Sequence, residues 1–304
     1  MARPVLRLCF TAGTVALALL AACSLILDTA AEQCSTDADC TNRGPKFAGT
    51  RCSNKVCVAD EGGVTDSGGD AFDPQWGCLG RVKAPTFPKP MVNVSVPLVD
   101  LVTQMPVTKI DAKVCSKTDV SCAMPIGPVS NPSAQGILTF TLPAGFDGYV
   151  DMKSTMVSDA GLPAYLPSLV FFNPPLSDDI IYLTIPLVSP QALGLLAAQF
   201  GNTIDMTLGG PFAAINDCQG KPAAGASIAI DKDTDASRTF YFVNGLPTES
   251  ATQTDKTGYS GFINIPTGIR NMSGFVADGG ALIGKVSVLV RPSTLTYTVL
   301  PPTP

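Results

Sequence analysis

The chain has 304 residues, 45% of them hydrophobic and 15% charged, a composition that folds around apolar cores and excludes bulk disorder. Its net charge of −5 and its lack of any histidine argue against a nucleic-acid partner. They also remove the commonest general base, the commonest metal ligand and every Ser-His or Cys-His nucleophile pair.

Arg3 and Arg7 precede a 13-residue apolar run, Leu8 to Leu20, which meets the small residues Ala21 and Ala22. This is the anatomy of an export signal, and it falls short of the roughly 20 apolar residues that span a bilayer. The junction Leu20-Ala21-Ala22-Cys23 resembles the lipobox of bacterial lipoproteins. The resemblance implies cleavage before Cys23, lipid on that cysteine and a partner membrane. Ser24 follows, where Asp would imply retention in the inner membrane, so an outer-membrane or cell-surface site in a Gram-negative bacterium is expected. Removing the two signal arginines leaves 18 basic against 25 acidic residues, or −7.

Beyond Cys9 and Cys23, eight cysteines remain: Cys34, Cys40, Cys52, Cys57, Cys78, Cys115, Cys122 and Cys218. An even number in an exported chain reads as disulfides. Cys34 to Cys57 form a cluster too small for its own hydrophobic core, and its spacings of 5, 11 and 4 intervening residues match no tight zinc knuckle. Cys115 and Cys122 most simply close one loop, which leaves Cys78 and Cys218 to pair by elimination. The run from Glu61 to Asp70, rich in Gly, Ser and Asp, reads as a linker.

The 28 glycines and 26 prolines favour turns and short strands over long helices, so an all-β fold is expected. Strands are predicted over Val92 to Val96, Ile110 to Val114, Ile137 to Leu142 and Ile180 to Ile185. One helix is predicted between them and a second strand set: Ser189 caps it, Pro190 suits its first turn and Gly201 ends it. The second set comprises Ala226 to Ile230, Phe240 to Val243, Gly261 to Ile265, Val286 to Val290 and Leu295 to Leu300, and Pro301, Pro302 and Pro304 stop the last. Phe140 to Gly145 aligns with Ile263 to Gly268, which suggests a tandem repeat.

Gly220 to Ile228, Thr254-Asp255-Lys256-Thr257-Gly258 and Ile265-Pro266-Thr267-Gly268 resemble the carboxypeptidase regulatory-like domain, a transthyretin-like β sandwich. The likeness spans roughly residues 215–300, with a fainter copy over 92–155. It implies an accessory or display module and carries over no catalytic residue. The expected order is a signal over 1–22, a lipid-anchored tether over 23–33, a cysteine-rich module over 34–57 and a linker over 58–77. Two tandem transthyretin- or Ig-like β-sandwich domains follow, over 78–188 and 202–304, joined by a helix over 189–201.

Several motifs imitate chemistry. Gly279-x4-Gly284-Lys285 lacks the Ser or Thr of a phosphate loop and leads into a strand pattern. Ser260, in Gly258-Tyr259-Ser260-Gly261, has no histidine to activate it. Asp231, Asp233 and Asp235 alternate as calcium ligands do, but Ala236 and Phe242 stand where Gly and Glu are needed. Asp178 and Asp179 could serve a carboxylate-only hydrolase, and Trp76, Phe171-Phe172 and Phe240-Tyr241-Phe242 could stack on sugars. No cofactor is implied. The expected function is non-enzymatic: a lipoprotein displaying β sandwiches for a surface protein or glycan ligand, or for envelope structure. A polysaccharide- or peptidoglycan-binding accessory is the alternative, and the hydrolase comes third.

Overall fold

The computed structural model describes residues 34–42, 50–53, 55–59, 75–157, 161–199, 203–277 and 280–303. The expected signal, Cys23, the tether, most of the linker and Gly201 lie outside these residues. The chain divides into two compact units, Met1–Asp70 and Ala71–Pro304.

In the first unit, α1 (Asp37–Thr41) precedes a hairpin of β1 (Thr50–Ser53) and β2 (Val56–Ala59). The Asp39 carboxylate accepts the backbone N–H groups of Ser35 and of the N-cap Thr36, at 2.8 and 2.7 Å, and so closes a capping box over one donor that the start of the helix leaves without an intrahelical partner. Cys52 and Cys57 face each other across the hairpin. Each reaches away from it, Cys52 to Cys34 and Cys57 to Cys40. The two bridges therefore fasten helix to hairpin where there is little else to bury.

The second unit is built on an eight-stranded central sheet. In sheet order it comprises β13 (Leu246–Thr248), β12 (Arg238–Val243), β14 (Tyr259–Ile263), β10 (Gly210–Ile215), β17 (Leu295–Leu300), β7 (Ser168–Phe171), β6 (Gly148–Ser154) and β4 (Ile110–Ser116). Outer sheets cover it on opposite faces. One contains β5 (Ile137–Pro143), β3 (Met91–Asp100) and β8 (Ile180–Ile181), with β9 (Ile185–Leu187) also paired to β3; the other contains β11 (Ala226–Ile230), β15 (Gly268–Val276) and β16 (Leu282–Val290).

Side-chain alternation along the central strands supplies two cores. On β6 and β7, Val150, Met152 and Val170 join the core under β3 and β5, whereas Tyr149, Leu169 and Phe171 join the core under β15 and β16. On β17, Leu295, Tyr297 and Val299 go to the first core and Leu300 to the second. Every residue of β7 and β17 is buried, as strands covered on both faces must be. The fold is thus all-β and made of two sandwiches.

The two sandwiches meet through the central sheet. Helix α2 (Pro190–Gln199) starts where its cap chemistry requires, with the Ser189 hydroxyl accepting the Ala192 N–H at 3.1 Å. It lies between the two strand sets, which belong to the one unit 71–304 and share the central sheet. The reason is topological. The last strand, β17, inserts between β10 and β7 and pairs parallel with both, so the C-terminus zips the two halves together. The suggested repeat does not occupy equivalent places: Phe140 to Leu142 lie in an outer sheet, while Ile263 ends β14 of the central one. The run expected over Ile180 to Ile185 breaks into β8 and β9 around Tyr182, whose hydroxyl turns inward to the Phe171 carbonyl at 2.7 Å.

Candidate functional site

All eight described cysteines are paired. Besides the two bridges of the small unit, Cys78 joins Cys218 across 140 residues and Cys115 joins Cys122 across 7. Cys34, Cys40 and Cys57 lie close enough together to suggest a metal group, but their sulfurs are already spent in disulfides.

The other sequence candidates separate in space. The carboxylates of Asp231, Asp233 and Asp235 form no metal-sized cluster among the described residues. Asp231 instead accepts both the backbone and side-chain N–H groups of Asn271, at 2.9 and 2.8 Å, which hold its pKa below the ordinary carboxylate value. Asp178 and Asp179 are bound by Lys89 Nζ at 2.5 and 3.2 Å, and Asp179 also accepts the Asn93 N–H at 2.7 Å. These donors hold both carboxyls low, that of Asp178 chiefly through Lys89 and that of Asp179 chiefly through the Asn93 N–H. A glycosidase acid needs the opposite, a carboxyl raised by an apolar setting. Gly284 and Lys285 lie within strand β16, and Ser260 is wholly buried in β14 with its hydroxyl directed at the Ala213 carbonyl. Phe171, Phe172, Phe240 and Tyr241 are buried, and Trp76 packs against the second core. They form no exposed sugar platform.

The Thr-Asp-x-x-Gly segment has a structural role. The Thr254 hydroxyl is buried, donating to the Ala223 carbonyl at 2.7 Å and accepting the Ala226 N–H at 3.0 Å. Burial pushes the Asp255 carboxyl up, but the hydroxyl and N–H of Thr257 and the Asn244 N–H outweigh it and hold it low. Gly258 has φ +68°, and a Cβ there would lie 2.6 Å from the Ile215 carbonyl oxygen, so only glycine fits.

The concavity with the best-defined chemistry is a cavity of about 350 Å³ in the second unit. Its floor is aromatic. Phe212 of β10 lies 5.3 Å from Phe240 of β12 and 5.4 Å from Tyr297 of β17, and Phe242 lies 5.8 Å from Phe240. One wall is α2, through Leu193 and Leu196, and another is the β12–β13 hairpin. Val102, Leu195 and Leu246 stand at the rim, 68%, 72% and 65% exposed. No charged side chain lines the cavity. The Tyr297 hydroxyl is committed to the Pro186 carbonyl at 2.6 Å, and burial pushes its pKa up. Sequence reasoning flagged Phe240 and Phe242 as aromatics but missed the pocket. Its other walls come from segments near 102, 195 and 297 that only the shared sheet brings together.

No family model matches the chain, and no curated protein matches it. Among solved structures it is similar to the Bacillus anthracis TIE protein, at 11% identity and TM-score 0.22 over 70% of this chain. The chain spans about a third of that protein, the matched share being 34%. It is also similar to GBS52, the minor pilin of Streptococcus agalactiae, at 16% identity and TM-score 0.21 over 70% of this chain and 98% of that one. A third likeness is to the family CBM26 module of Eubacterium rectale Amy13K, solved in complex with maltoheptaose, at 9% identity and TM-score 0.23 over 68% and 92% of the two chains. These superpositions carry no residue correspondences.

Proposed function

We propose that this chain is an exported, non-enzymatic surface lipoprotein, held on the membrane by lipid on Cys23 and presenting its β unit as a binding or structural module. The observation that supports the reading is the pairing of all eight cysteines from Cys34 to Cys218, since disulfides form and persist in oxidising compartments. The remaining two of the ten, Cys9 and Cys23, fall inside the expected signal and at its lipobox. Among the described residues no helix is long and apolar enough to cross a membrane. In this reading anchoring falls to the lipid, and two or three acyl chains at about 0.8 kcal/mol per buried methylene suffice for it. The resemblance of 215–300 to the carboxypeptidase regulatory-like domain fits the same role, a sandwich that displays or binds and carries no catalytic group.

The test is fractionation of cells expressing the native chain and a Cys23→Ala variant whose residues 1–22 are replaced by a conventional cleavable secretory signal. The native protein is expected in the membrane fraction, released by detergent and not by high salt. The variant is expected to be soluble outside the cytoplasm. A C23A protein that still sediments with membranes contradicts the anchor.

A further inference from the structure

We propose that the apolar cavity between α2 and the β12–β13 hairpin binds one unbranched hydrocarbon chain of on the order of a dozen carbons, scaled from an apolar cavity of about 150 Å³ that takes benzene, with its polar end left in solvent at the rim. The inference goes beyond the anchored-display reading and does not depend on it. Three observations carry it. The volume of about 350 Å³ falls within the roughly 300–1,000 Å³ of small-molecule pockets. The lining supplies no charge and is mostly apolar, and the Tyr297 hydroxyl is already bonded to Pro186, so the cavity favours an apolar occupant over water, which needs two to four polar partners.

The third observation is the arrangement of the walls. The floor rings of Phe212, Phe240 and Tyr297 belong to the central sheet and are held by one another, within 5.3–5.4 Å. The rim side chains of Val102, Leu195 and Leu246 are strongly exposed and would extend the apolar contact along a chain entering from solvent. No cation lines the cavity to bind a head group, so selection falls on the tail and the polar end is free to vary. A fatty acid, an alcohol and a lipid fragment share this chemistry, and the head group separates them experimentally.

The experiment is calorimetric titration of the exported chain carrying C23A behind a conventional cleavable secretory signal in place of residues 1–22, so that neither lipid nor signal of its own is present. The ligands are octanoate, decanoate, dodecanoate and tetradecanoate below their micelle concentrations, with dodecanol and dodecyl phosphate as head-group arms. Affinity is expected to rise about fourfold per added methylene and to level off near twelve carbons, where the cavity is full. The head-group arms are expected to agree within about threefold, because each keeps its polar end in water. Leu195→Glu and Leu246→Glu change strongly exposed side chains, so the melting temperature is expected to stay as in the parent while each weakens binding at least tenfold. Absence of saturable binding overturns the proposal, as does an affinity independent of chain length or rim variants that bind as the parent does. A hydrophobic side chain of a partner protein as the natural occupant would give no length series, and so counts among those overturning results.

Discussion

Removing Arg291 should destabilise the second unit more than any other single change at an ionic side chain. Its guanidinium approaches the Asp151 carboxylate at 2.7 Å, donates to the Val120 carbonyl at 2.6 Å and the Tyr149 hydroxyl at 2.8 Å, and lies 5.5 Å over the Tyr149 ring. Asp151 is only 4% exposed, and its second oxygen, Oδ1, is buried without a hydrogen-bond partner. The carboxylate thus depends on one cation 140 residues away in sequence. Breaking a buried pair by deleting one member costs ~3–5 kcal/mol, because the other charge stays buried. The Arg291 side chain is 22% exposed, so some water reaches the pair and the lower end, ~3 kcal/mol, is expected for Arg291→Ala. The assay is guanidinium unfolding with disulfides intact. The double variant D151L/R291M should recover to within ~1 kcal/mol of the parent, since an apolar replacement removes the charge along with its partner. A cost below ~1 kcal/mol for R291A, or a double variant no better than R291A, refutes the reasoning.

Three further outcomes follow from the same geometry. Replacing Cys78 and Cys218 together by Ala opens a loop across 140 residues and should cost ~5 kcal/mol on a loop-entropy basis, read as a lowered unfolding midpoint. Gly258→Ala should cost ~1–3 kcal/mol through its positive φ, and more through the 2.6 Å approach to Ile215; differential scanning calorimetry measures the drop. Asp119, Asp178, Asp231 and Asp255 all have carboxyls held below the ordinary 3.8. Because these folded values are depressed, the stabilisation is complete above 3.8 and is lost as pH falls through the lower values. The urea midpoint should therefore be flat from about pH 7 to pH 5 and fall below about pH 4. A midpoint that rises on acidification contradicts this.

Strands with one wet face were legible in the sequence. Leu138, Phe140 and Leu142 of β5 alternate with exposed residues, and Val92 to Leu98 of β3 follow the same period. The helix was legible from Ser189 and Pro190. Strands β7 and β10 were not, because a strand covered on both faces has no polar alternate to mark its period. Strand β15, with Arg270, Asn271 and Ser273 among its residues, reads as polar although Met272 is fully buried. The shared sheet was hidden for a different reason. Pairing β17 with β7 joins Leu295 to Ser168, and nothing local announces a parallel partner that far away. The cavity inherits that blindness, since Val102, Leu195 and Leu246 become neighbours only through the long-range pairing. The disulfide loop from Cys115 to Cys122 was readable from spacing alone, whereas the pairing within Cys34 to Cys57 depends on the hairpin register that sets Cys52 opposite Cys57.

The central claim, an exported and disulfide-braced lipoprotein, is tested most directly by the mass of the N-terminal peptide and the thiol count of natively expressed protein, before and after reduction. A diacylated or triacylated Cys23 at the N-terminus, with eight thiols appearing only on reduction, is the predicted result. An unlipidated N-terminus elsewhere, or thiols that react without reductant, contradicts it.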